Sequence, residues 1–132
     1  MKISSYRFQI AVLLAAIAAG CDRPVSFERD VRPILVANCL KCHDGKGEGS
    51  AASGLNLQTY DSLMKGTKFG PVVVPGSAVS STFYRVLTHE VDPKIRMPPH
   101  EKESLAKGRG EMLTDEQIKD VELWIDQGAK NN

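Results

Sequence analysis

Cys39-Leu40-Lys41-Cys42-His43 is the stretch on which the reading of the whole chain turns. Two thiols three residues apart fall on one helical turn with an imidazole directly after them. The thiols can add to the vinyl groups of a haem while the ring reaches its iron. The pattern predicts covalently attached haem c, with Cys39 and Cys42 as the thioether carriers and His43 as an axial ligand. A macrocycle held this way would be the largest apolar body of a small core, so the fold must form around it.

Two other chemistries use paired cysteines. A structural zinc site needs four ligands, and the remaining histidines, His89 and His100, are too far apart to supply an H-x(3 to 5)-H pair. A thioredoxin-like redox pair needs a β-α-β setting, whereas the residues before Cys39 read helical and no parallel-strand rhythm follows.

Toward the N-terminus, residues 1 to 20 read as an export signal, with Lys2 and Arg7 positive and Phe8 to Ala19 apolar. That run is too short to span a bilayer as a helix. It ends at Ala18-Ala19-Gly20-Cys21, which resembles a bacterial lipoprotein signal with Cys21 as the acylated residue, although Ala18 stands where Leu is usual. The rival is ordinary cleavage that leaves Cys21 a free thiol. Asp22 resembles an inner-membrane retention signal of some Gram-negative bacteria, a rule that depends on lineage. Residues 21 to 25 would form a short tether and 26 to 132 the domain, on the periplasmic side of a membrane whose leaflet the sequence leaves open. Without Lys2 and Arg7, the 17 basic residues become 15 against 16 acidic ones, a balance that argues against nucleic acid. Export also fits cysteine usage, since haem would consume Cys39 and Cys42, and lipid Cys21.

The rest of the chain reads as all-α, with four to five short helices. Ser26 can cap a helix carrying Phe27, Val31, Ile34 and Leu35 on one face, which Pro33 either kinks or restarts. The Gly- and Ser-rich stretch from Asp44 to Gly54 reads as a loop whose glycines supply flexibility. Thr59 caps a short helix from Tyr60 to Lys65 that Gly66 can end. Val72 to Val74 is too short and too bounded by turns to build a sheet. Ser77 or Ser80 would start a helix bearing Phe83, Val86 and Leu87, and prolines forbid regular structure from about 92 to 100. His100 to Gly110 reads as a solvated loop. Thr114-Asp115-Glu116-Gln117 is a capping-box pattern, opening a helix that carries Ile118, Val121, Trp124 and Ile125 as far as Gly128. This last helix should pack on the first.

Opposite His43, Met97 in Arg96-Met97-Pro98-Pro99 is the favoured iron ligand, because a thioether suits haem iron and the prolines fix its loop. Of the four methionines, Met1 leaves with the signal, while Met64 and Met112 read as packing residues. The rival is bis-histidine ligation through His89 or His100.

From Phe27 to Ala129 the chain resembles the planctomycete-type cytochrome c domain family, within the class I cytochrome c fold. The resemblance is carried by Val31-Arg32-Pro33-Ile34-Leu35, Cys39 to His43, Gly54-Leu55-Asn56-Leu57, Gly70-Pro71, Val74-Pro75-Gly76-Ser77, Arg96 to Pro99, and Leu123 to Ala129. It implies haem c with His43 proximal and Met97 distal, and a role in electron transfer. In many class I cytochromes a proline carbonyl about a dozen residues after the motif accepts from the proximal histidine; here Leu55 takes that place, and its carbonyl could still accept. Arg96 is the candidate partner for a haem propionate. The resulting expectation is an exported, membrane-tethered monohaem cytochrome that carries single electrons between separate redox proteins. No catalytic constellation is present, so no enzymatic activity is expected. The alternatives are a haem-based sensor or small-ligand binder with a displaceable methionine, or a haem subunit of a larger dehydrogenase.

Overall fold

Three N-caps set the frame of the fold. The computed structural model describes residues 23–99 and 112–132. Cys21, the export segment, His100 and the stretch read as a solvated loop lie outside the described residues. Ser26 Oγ accepts from Arg29 N and opens a π-helical turn, Phe27–Val31, that runs directly into α1, Arg32–Asn38. Pro33 sits in the first turn of α1, where a missing N–H costs nothing. Thr59 and Ser62 form a reciprocal capping box on α3, Tyr60–Lys65, and Thr114 with Gln117 forms another on α5, Asp115–Asp126.

Between these lie α2, Glu48–Ser53, and α4, Thr82–Leu87. A 3-10 turn, Pro93–Ile95, follows, capped by the Asp92 carboxylate, which accepts from Lys94 N. Among the described residues there is no strand, and the architecture is the all-α one that the helical periodicity implies. Helix α2 corrects the loop reading of Asp44 to Gly54. The start of α4 also differs, because Ser81 takes the N-cap position in place of Ser77 or Ser80. The Ser81 hydroxyl is buried and donates to Ser77 O at 2.8 Å while accepting from Val74 N at 2.8 Å, which pins the turn ahead of the helix.

The core is a helix pair closed by aromatic rings. Phe27 lies 5.4 Å from Trp124 and 5.3 Å from Tyr60 between ring centres, so the first turn packs on both α5 and α3. Such pairs add about 0.5–1.5 kcal/mol beyond the area they bury. Their polar ends are satisfied: Trp124 Nε1 donates to Lys130 O at 2.9 Å and the Tyr60 hydroxyl to Ala129 O at 2.8 Å. The two ends of the domain are also laced together, with Glu28 N donating to Asn132 O and Val25 N to the Gln127 side chain. Val72 and Val73 are buried, and Phe83 N donates to Val72 O at 2.9 Å, which fixes α4 against that segment. Phe69 is 85% exposed, so it adds nothing to the core. Met112, read as packing, is likewise mostly exposed, whereas Met64 does pack against the core.

Candidate haem site

Helix α1 ends where the Cys39 to His43 motif begins. Cys39 N donates to Leu35 O at 2.9 Å, and one further turn follows in which Cys42 N and His43 N both donate to Cys39 O, at 3.1 and 3.0 Å. This turn gathers the two thiols and the imidazole on one arc. Cys39 and Cys42 are half-buried and not joined to each other. Burial pushes the Cys39 thiol up to about 12, with Cys42 beside it adding to the rise.

The segment after the motif folds back over it. His43 is buried; its Nδ1 lies 3.4 Å from Leu55 O, and its own carbonyl accepts from Leu57 N at 2.8 Å. Residues 55–57 therefore hold both the ring and the backbone of His43. Ser50, also buried, bonds three further points of the same assembly. Its N–H donates to Cys42 O at 2.9 Å, its hydroxyl accepts from Gly45 N at 2.9 Å, and the same hydroxyl donates to Leu55 O at 2.8 Å. The Asp44 carboxylate accepts from Lys46 N and Gly47 N, and these two bonds hold it below the usual carboxylate range.

Two glycines let α2 approach this closely. A Cβ on Gly47 would stand 2.6 Å from Cys42 O, and one on Gly49 would stand 2.6 Å from both Cε1 and Nε2 of His43. The sequence reading took the glycines of this stretch as a source of loop flexibility. The structure uses these two for close packing instead, and Gly47, with φ of −64°, needs no special backbone region.

The residues present fit haem c. With Nδ1 turned toward a carbonyl, Nε2 is the nitrogen left to ligate, and α2 lies this close to it only because residue 49 has no side chain. Burial holds the His43 imidazole below its ordinary range, opposed by the Leu55 carbonyl, which favours the neutral ring that a metal takes. Among the described residues no three of His, Cys, Asp and Glu gather as a metal-ligand group, so a zinc site of that kind is not built here.

Met97 and Arg96 lie on the loop after α4. Met97 is half-buried against the core, its N–H donating to Val86 O at 3.0 Å, and Pro98 beside it is buried. Arg96 is half-buried and its Nε donates to Val91 O at 3.4 Å. His89 is half-buried and follows α4 directly with a left-handed φ of 63°, a conformation in which histidine is enriched among non-glycine residues. What sequence reasoning missed is Ser50 with Gly47 and Gly49. The one signal that could have found them is their spacing of small residues within a dozen positions of His43.

Helical architecture and a motif carrying two thiols and a buried imidazole define this as a c-type haem domain. Residues 39–101, just under half of the 132-residue chain, match the family described as Planctomycete cytochrome C. The family binds haem c covalently. The chain is also similar to hydrazine synthase subunit alpha of Kuenenia stuttgartiensis, with 30% identity over 129 residues. That alignment covers 83% of this chain but only 16% of the relative. No solved structure matches the chain.

Proposed function

We propose that this protein is a monohaem electron carrier, exported and held at a membrane by lipid on Cys21. One observation supports it above the rest: the thiols of Cys39 and Cys42 share a turn with a buried imidazole whose Nδ1 faces Leu55 O. Haem bound there supplies a reversible one-electron ferric/ferrous couple. The chain's own residues do the remainder. Cys39 and Cys42 would anchor that haem and His43 would hold it through Nε2, while the Leu55 carbonyl orients the imidazole. Met97, on a loop tied to α4 through Val86, is the candidate second protein ligand. Holding by two protein ligands would suit electron transfer better than substrate chemistry. Arg96 is the candidate propionate partner, and the redox partners are separate proteins.

A second reading has an observation in its favour. The alignment with part of an enzyme subunit fits a haem module that serves a larger oxidoreductase. A stable partner that co-purifies with the mature protein would favour it.

Three measurements test the proposal. The alkaline pyridine haemochrome of the matured protein should report two thioethers; a spectrum of non-covalent haem overturns the attachment. The ferric protein should show a weak sulfur-to-iron charge-transfer band at the red edge of the visible, lost in Met97→Ala while covalent haem stays. If the band is absent and His89→Ala or His100→Ala opens the iron, the ligation is bis-histidine and the potential correspondingly lower. Mass spectrometry of the mature N-terminus should find acylated Cys21, and an unmodified residue there removes the anchor.

A further inference from the structure

One carbonyl in the site accepts from two side chains. Leu55 O takes the Ser50 hydroxyl at 2.8 Å and faces His43 Nδ1 at 3.4 Å. The shorter contact is the serine's. Gly45 N donates to that same hydroxyl at 2.9 Å, so the serine proton is directed at Leu55 O and the bond is reinforced from behind. Both side chains are buried, with Ser50 7% and His43 8% exposed, so water does not level the competition.

We propose that Ser50 is a positioning residue that weakens the His43 Nδ1–H bond to Leu55 and thereby raises the reduction potential of the iron that His43 ligates. The inference rests on the haem reading above. Two donors on one carbonyl oxygen draw on the same electron density, so a strong bond from Ser50 leaves Leu55 O a poorer acceptor for the imidazole. A weaker bond at Nδ1 leaves the ring less imidazolate-like and a weaker donor through Nε2. The weaker donor stabilises the ferric state less, and the equilibrium moves toward ferrous.

The test uses the full, haem-loaded protein. In Ser50→Ala the Leu55 carbonyl is left to His43 alone, and redox titration should show the ferric-to-ferrous ratio at a fixed ambient potential rising about threefold. The Nδ1–H proton of His43 in the reduced form should move downfield as its bond shortens. Ser50→Thr, which keeps the hydroxyl, should restore both readouts. A potential that is unmoved or higher in Ser50→Ala, with the Nδ1–H resonance unchanged, overturns the proposal and leaves Ser50 as a residue that only packs α2. Should that variant fail to mature, the wild-type protein still decides: the Ser50 hydroxyl proton should exchange slowly and show cross-relaxation to His43 Nδ1–H, and absence of that contact overturns the proposal. Wild-type protein without covalent haem would sink the proposed function itself, whereas loaded protein with an indifferent Ser50→Ala sinks this inference alone.

Discussion

The helix pair formed by the first turn and α5 differs in kind from the segment that wraps the motif. In the pair, large side chains do the work: Phe27, Val31, Val121, Trp124 and Ile125 are all buried within about a hundredth of full exposure. Across residues 45–54 most side chains are small, and contact with Cys42 and His43 is made by backbone groups, one serine and two glycines. Burial of apolar area tolerates small shifts, because dispersion and the hydrophobic effect are not directional. Hydrogen bonds and backbone-to-backbone approach do not. The first region should therefore set how stable the protein is, and the second how its imidazole is held.

The largest effect should come from the first region. Trp124→Ala removes the ring shared by Phe27 and Tyr60 and the bond to Lys130 O. It should lower unfolding stability by about 3–5 kcal/mol, a large share of what a small domain has. Denaturant unfolding of the haem-loaded protein measures it, while the spectrum of the folded fraction should stay that of wild type. A changed ligand spectrum with unchanged stability would reverse the assignment of the two regions.

A smaller loss is expected in the second region, with the opposite signature. Gly47→Ala puts a methyl 2.6 Å from Cys42 O, and backbone has to yield, at about 1–3 kcal/mol. Gly49→Ala directs its methyl at Cε1 and Nε2 of His43, so the ring must turn away from the position that Leu55 holds. Both variants should disturb the absorption spectrum or the yield of haem attachment more than their stability alone explains. Equal loss of stability with an untouched spectrum would show that α2 can lift off the motif without consequence.

The same contrast explains what could be read in advance. The caps at Ser26, Thr59 and Thr114 are local patterns, each closed within three residues, and the apolar face of α5 repeats at helical spacing. Helix α2 gave no such signal. Its residues, Glu-Gly-Ser-Ala-Ala-Ser, include weak helix formers, and what holds the segment is tertiary: Ser50 N on Cys42 O and its hydroxyl on Leu55 O. The start of α4 was ambiguous because Ser77, Ser80 and Ser81 are all eligible caps, and only packing selects the buried one. Met112 was assigned to packing by its closeness to α5, yet chain proximity does not fix which way a side chain faces. The motif itself was legible because its chemistry is local. Its support was not, because glycine close approach leaves no trace in hydropathy.

The smallest predicted effect sharpens the comparison by locating an electrostatic element inside the apolar region. Asp30, on the first turn, accepts from Ser26 N at 2.8 Å and from Arg29 Nη2 at 2.9 Å, and pairs with Arg23 at 3.3 Å. The Arg29 bond first and the Ser26 N–H second hold its carboxyl at about 2, against an ordinary 3.8, with burial opposing. The unfolded chain therefore binds a proton at a higher pH than the folded one. Stability from this group is complete above about pH 4 to 5 and is lost as the pH falls through about 2. Because Arg29 and Arg23 are largely exposed, solvent screening reduces the gain to about 1 kcal/mol. Asp30→Asn should be less stable than wild type by that amount at pH 7, the gap narrowing between pH 4 and 2 and vanishing below. Acid also protonates other groups in both proteins, His43 included, so the difference between variant and wild type, taken from unfolding midpoints across the pH series, isolates Asp30. A gap that persists unchanged to pH 2 would mean that Asp30 acts through its shape and hydrogen bonds, and the helix pair would then be held without help from charge.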